Sequence, residues 1–273
     1  MGKRLLTIAI GLPLLVVVVS YAPPLLFASL AAAAAAAGFA EASELAAKHG
    51  LPTFRRLGAV GAALLAITPW LERTVRSPSE WSSLPVVFVL LALTVLCRSL
   101  AGAEEPTRIL PAAALTLLAM TWLGLFGSYL VRLHVLGPGL IYTLMLVVWG
   151  GDSGAFVAGK LLGRHKMAPR LSPNKTMEGL AGGLAASVGG LFLGEALFGV
   201  ELGGGWPVTV ALGLVLGAVA TAGDLFESAV KRGAGVKDSG ALLPGHGGVL
   251  DRVDSLLFAA PVMYHAHTWL PTP

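Results

Sequence analysis

Asp224, Glu227, Ser228 and Lys231 are spaced so that Glu227, Ser228 and Lys231 follow Asp224 by three, four and seven residues. On a helix those offsets form a single polar face. Asp251, Asp254 and Ser255 repeat the pattern at the start of the last apolar segment. Between the two faces runs KRGAGVKDSGALLPGHGG, residues 231–248. Lys231, Arg232 and Lys237 bring positive charge there, and Gly245, Gly247 and Gly248 let backbone N–H groups approach a ligand. The helix that follows aims its positive end back into the loop. Basic side chains, bare amides and a helix N-terminus suit a polyphosphate. Carboxylates beside them suit Mg²⁺, which takes one or two carboxylates together with phosphate oxygens.

Two upstream segments carry the same kind of chemistry. In LSPNKTMEG, residues 171–179, Ser172, Lys175 and Thr176 are candidate donors to phosphate. Pro173 is expected to fix a turn before the helix that holds Glu178. The spacing is not that of a Walker loop. In WGGDSGAF, residues 149–156, Asp152 stands inside an apolar run, flanked by glycines that would loosen the helix there and admit a partner backbone or an ion. Other polar residues read as structural. Lys160, Arg164, Lys166 and Arg170 look like bases flanking a membrane span. Glu41 and Glu44 either pair with Lys48 or belong to a polar set. His49, His134 and His165 are expected in loops, and YHAHTW (264–269) at a membrane interface. The single cysteine, Cys97, excludes an intrachain disulfide.

The elements that must position these residues are written in the composition. Of 273 residues, 55% are hydrophobic and only 12% are charged, with mean hydropathy +0.78. A soluble domain carries about 25% charged residues. The deficit predicts an all-α polytopic membrane protein. Runs near the 20 or so residues needed to cross hydrocarbon fall at about 5–21, 24–47, 57–71, 84–97, 109–130, 138–162, 176–200, 206–230 and 249–270. Nine crossings result, with the first span expected to stay uncleaved. Residues 1–135 form an N-terminal scaffold of about five spans; 136–273 form a catalytic region.

Orientation follows from the bases. With the N-terminus in the cytoplasm, only Arg73, Arg76 and Arg132 of the 19 Lys and Arg residues fall outside. The polar loops then face the cytoplasm. The net charge of +4 reads as basic loops on anionic lipid rather than as a nucleic-acid surface. An ionised acid at mid-bilayer costs about 2.5–3.5 kcal/mol on insertion scales. Several such acids in one half of the chain therefore imply a shared polar cavity containing cations.

Residues 228–254, SAVKRGAGVKDSGALLPGHGGVLDRVD, resemble the signature of the phosphatidate cytidylyltransferases, or CDP-diacylglycerol synthases. The fixed positions of that pattern are matched by Ser228, Lys231, Arg232, Lys237, Asp238, Pro244, Gly245, His246, Gly247, Gly248, Asp251, Arg252 and Asp254. GDLFES (223–228), SPNKTMEG and DSGAF resemble further family segments in the same order. Met177 and Phe156 stand where relatives often carry Trp and Tyr. The resemblance covers about 150–255.

It implies a reaction in which CTP and phosphatidate give CDP-diacylglycerol and pyrophosphate. The implied site is Mg²⁺-dependent and open to both cytoplasm and lipid of the cell inner membrane. Asp224 and Asp251 would hold the ion, with Asp152 and Asp254 as further ligands or orienters. A second cation such as K⁺ and a homodimer are both compatible with the chain. Lys237, Asp238 and His246 join the catalytic set. Lys231, Arg232 and Lys237 would grip one anion, and Ser172, Lys175 and Thr176 the other; Ser228, Glu178, Gly247, Gly248 and Arg252 complete the substrate-binding set. Two rivals share the composition: a CTP-dependent polyprenol or dolichol-type lipid kinase, and a polytopic transporter.

Overall fold

The computed structural model describes residues 2–75, 82–101, 106–240 and 247–270, with side chains at Ala9 and from Gly11 onward except at Val75. Among them the chain is helical apart from one short hairpin. The helices are α1 (Gly2–Tyr21), α2 (Pro24–Ala47), α3 (Arg55–Val75), α4 (Leu84–Ala101), α5 (Pro106–Leu136), α6 (Pro138–Leu162), α7 (Met177–Phe198), α8 (Gly205–Gly233) and α9 (Leu250–Trp269). Six are long and apolar enough to cross a membrane: α2, α4, α5, α6, α7 and α8. The apolar stretch Gly11–Tyr21 of α1 is shorter than a span. α3 carries Arg55, Arg56, Glu72 and Arg73, and α9 carries Asp251, Arg252 and Asp254.

The chain divides into two compact units. One comprises Met1–Val135 with Ala234–Arg252, and the other Leu136–Gly233 with Val253–Pro273.

The core of the first unit is built on Phe39, Leu45, Leu65, Met120, Leu123 and Leu133, all fully buried. The backbone of α5 widens to π-helix over Met120–Leu125. There Gly124 packs on α3, and a Cβ in its place would come 2.7 Å from the Ala62 Cα. Glu72 ties α3 to the start of α4 by accepting from the Leu84 N–H at 3.0 Å, and it pairs with Arg132 of α5 at 2.9 Å. His134 was expected in a loop; instead it is buried in α5, its ring stacked 3.9 Å from that of Phe27. An imidazole between apolar helices needs a polar partner, and its Nε2 has the Val19 carbonyl oxygen at 3.1 Å.

In the second unit, α6 and α7 meet along small residues. Cβ atoms at Gly182 and Gly183 would stand 3.1 and 3.0 Å from the carbonyls of Gly154 and Gly151. Lipid gives no hydrophobic drive between helices, so close van der Waals approach must supply it. The glycines around Asp152, expected to loosen the helix, instead admit a partner backbone while α6 continues unbroken through them. Ser187 donates to the Val147 carbonyl at 3.0 Å.

Between α6 and α7 lies the feature the sequence did not suggest. Lys166–Ala168 (β1) and Ser172–Thr176 (β2) pair antiparallel, Lys166 opposite Thr176 and Ala168 opposite Ser172. Pro173, expected at a turn, lies within β2. A two-stranded hairpin has two open edges, where a residue without an N–H is tolerated. Thr176 then caps α7 by accepting from the Gly179 N–H at 3.0 Å.

Candidate active site

The second unit gathers acids from three helices and a base from the hairpin. α8 and α9 approach at Gly223, which packs against the Asp254 carbonyl and Phe258. That contact brings together oxygens of Asp224, Glu227 and Asp254, all within 4.8 Å of one another. Glu227 is 2% exposed and pairs with Lys231 one turn along α8, Nζ to Oε2 2.6 Å. Asp224 pairs with Lys175 of β2. The Ser228 hydroxyl donates to Asp224 Oδ1 at 3.5 Å. Two ammonium groups thus neutralise part of the acidic charge, which makes its place near lipid tolerable.

Beside this cluster is a cavity of about 250 Å³. Asp152, Asn174, Lys175, Thr176, Thr221 and Asp224 supply its polar lining, while Ala155, Phe156, Met167 and Leu180 are among its apolar residues. Asp152 of α6 and Asp224 of α8 repel each other across it, and Lys175 attracts Asp152. A lining that is part charged and part apolar suits a ligand that is itself part anion and part hydrocarbon. The three clustered carboxylates form a hard oxygen donor set of the kind Mg²⁺ accepts.

Other expected site residues in this unit have structural partners. Glu178 accepts from the Arg164 N–H at 3.0 Å and meets His165 Nδ1 at 2.6 Å, tying the end of α6 to the start of α7. The Thr176 hydroxyl is occupied as the α7 cap, although the residue still lines the cavity. Arg232 Nε reaches the Leu171 carbonyl at 3.4 Å. Ser172 is half-buried in β2.

The first unit holds the second half of the signature. Asp251 Oδ2 accepts from the Ser239 N–H at 2.9 Å, the Ser239 hydroxyl at 2.8 Å and the Gly248 N–H at 2.8 Å. Gly247 takes φ +79, and a Cβ there would meet that same oxygen at 2.5 Å. Lys237, Asp238 and Arg252 are exposed. His246, with Pro244 and Gly245, lies outside the described residues. Of the amides expected to stand bare, that of Gly248 is engaged by Asp251, and those of Val249 and Leu250, where α9 begins, are engaged by Glu41 of α2 at 3.0 Å each. A carboxylate at a helix N-terminus satisfies orphan donors and the helix dipole together.

Sequence reasoning left Glu227, Glu41, Asn174 and Thr221 out of the site. Glu227 was visible, three residues after Asp224 on the same face. Glu41 stood out only as an acid in an apolar helix, because the amides it accepts from lie more than 200 residues away.

Comparison with known proteins adds a second line. The family model described as "Cytidylyltransferase family" matches residues 2–270. A "Phosphatidate cytidylyltransferase" of Brucella suis biovar 1 (strain 1330) is 55% identical over 124 residues, 45% of each chain. One of Staphylococcus saprophyticus is 38% identical over 184 residues, 67% of this chain and 66% of that protein. One of Staphylococcus aureus (strain COL) is 33% identical over 207 residues, 76% of each. The aligned stretch thus spans less than two thirds of the first two relatives' own length.

Proposed function

This chain belongs to the cytidylyltransferase family, and we propose that it transfers the cytidylyl group of CTP to phosphatidate, giving CDP-diacylglycerol and pyrophosphate. The observation that carries the reading is the double role of Asp224. It lines a half-polar, half-apolar cavity beside Lys175, and it belongs to the carboxylate trio with Glu227 and Asp254.

A phosphatidate oxygen bonds to the α-phosphorus of CTP. The bond from that phosphorus to the oxygen bridging to the β-phosphate breaks, and its electrons leave with pyrophosphate. Both reactants are anions, so the protein's work is positioning and charge neutralisation. Lys175 holds one phosphate group at the cavity wall. Lys231 and Arg232 hold the other anion where α8 ends. Asp224, with Glu227 and Asp254, would hold Mg²⁺, and Asp152 would complete or orient the set. When bound, that ion supplies charge neutralisation on the triphosphate. A monovalent cation such as K⁺ is a candidate second ion. Thr176 and Glu178 keep β2 and α7 in register so that Lys175 stays aimed at Asp224.

We assign nine crossings with the N-terminus in the cytoplasm, the basic loops and the site facing CTP. Purified chain in phosphatidate liposomes, given Mg²⁺ and CTP labelled at the α-phosphate, tests the reading. Lipid product carrying the whole cytidylyl group supports it. Label confined to free nucleotide refutes it, as does lipid gaining only a terminal phosphate when the label is on the γ-position.

A further inference from the structure

We propose that Glu41, on the second helix, is a positioning residue for the glycine-rich signature loop and the first turn of α9. The inference rests on the cytidylyl-transfer reading for its kinetic consequence, though not for its geometry. Glu41 is 8% exposed, in a helix otherwise composed of Ala, Leu and other apolar or small residues along its buried length. Its Oε1 accepts from the Val249 N–H and its Oε2 from the Leu250 N–H, each at 3.0 Å. Oε2 also has the Ser239 hydroxyl at 3.2 Å.

That hydroxyl has one proton and two carboxylate neighbours. The Asp251 oxygen is nearer, at 2.8 Å, so Ser239 donates chiefly to Asp251, and Glu41 is held by the two amides. Glu41 and Asp251 therefore tie Ser239 to residues 248–250. The glycines match this arrangement. A Cβ at Gly240 would stand 2.7 Å from Glu41 Oε1, and one at Gly248 would collide with the same carboxylate. Alanine at either place would displace the acid, so the loop's small residues are fitted to Glu41 as well as to any ligand. A buried carboxylate in an apolar helix is costly unless every lone pair facing the protein is used. Here its hydrogen bonds fix where Asp251 and the Gly247–Gly248 backbone stand.

Two measurements on the full chain in detergent test this. The first is hydrogen exchange of the Val249 and Leu250 amides in Glu41→Gln. The variant replaces one acceptor by a donor that faces an N–H, so exchange should quicken about tenfold or more, with α7 amides unchanged. The second is the KM for MgCTP, which should rise about tenfold. A smaller folded fraction lowers apparent kcat but leaves KM alone, so a purely structural role would not move it. Glu44→Gln is the control, since Glu44 is exposed on the same helix and pairs with Arg55. Should Glu41→Gln not fold, Gly240→Ala is expected to give the same KM change by displacing the carboxylate. Unchanged exchange overturns the inference, and so does faster exchange with an unaltered KM. If the unaltered chain makes no CDP-lipid, the functional reading fails, and the exchange result alone decides the role of Glu41.

Discussion

Gly223 leaves no room for a side chain against Asp254: a Cβ built there would stand 2.8 Å from the Asp254 carbonyl oxygen. This contact sets how closely α8 and α9 approach, one residue before Asp224. It is what allows carboxylates from two helices to share one small volume. Gly223→Ala should push the helices apart at a cost of about 1–3 kcal/mol. Thermal unfolding in detergent will register the loss, and turnover should fall further than the folded fraction does. A variant of normal turnover would separate the close approach from activity.

Asp224→Asn and Asp254→Asn should each reduce cytidylyl transfer about 100-fold or more while the protein still inserts. The neutral amide cannot replace a carboxylate oxygen on a divalent ion. Asp251→Asn should be as damaging, because three donors from Ser239 and Gly248 then face a group that is half donor. Radiolabelled CTP incorporation into lipid measures all three. Near-normal turnover of Asp224→Asn would overturn the proposed cation set.

Removing divalent cations with a chelator should abolish transfer, and adding Mg²⁺ should restore it. The donor set is all oxygen, so thiophilic metals should restore less. Activity that survives complete chelation would remove the ion from the proposal.

Lys175→Met keeps the length of the side chain and removes its charge. It should lower kcat/KM about tenfold to 100-fold, since the variant leaves Asp152 and Asp224 facing each other across the cavity without their shared cation. Steady-state kinetics against both substrates will show which anion Lys175 holds, by the KM that rises.

Glu72→Gln is a test of fold without site. Glu72 is 15% exposed, pairs with Arg132 and accepts from Ser83 and Leu84 at the start of α4. Breaking one partner of such a pair costs about 3 kcal/mol. The midpoint of thermal unfolding should drop, and the MgCTP KM of the remaining folded enzyme should not change.

The helices were legible because lipid imposes a simple code. A run of apolar residues of sufficient length has to become a helix, since no water is available for its backbone groups. The segments expected at 24–47, 84–97, 138–162 and 176–200 fall on α2, α4, α6 and α7. The hairpin at 166–176 was not legible. Its pairing is held by Glu178, His165 and Thr176 at a helix junction, and the residues alone look like a basic loop. The helical burial of His134, expected in a loop, was hidden for a related reason: it depends on Phe27 and Val19, more than 100 residues earlier.

For the site, sequence by itself determined which residue types meet: acids three and four apart on a helical face, bases after them, and a glycine-rich turn. Helical periodicity is a local property, so spacing along the chain was enough to put Asp224, Glu227 and Lys231 on one face and Asp251 and Asp254 on another. Tertiary structure decided which of these face one another and which are spent on the protein itself. It joined Asp224 to Lys175 and Glu227 to Lys231, and gave the Oδ2 of Asp251 to Ser239 and Gly248. It also brought Glu41 to amides 208 and 209 residues away. Hydrogen bonds and ion pairs act over a few ångströms of space, and distance along a chain says little about distance in space once helices pack.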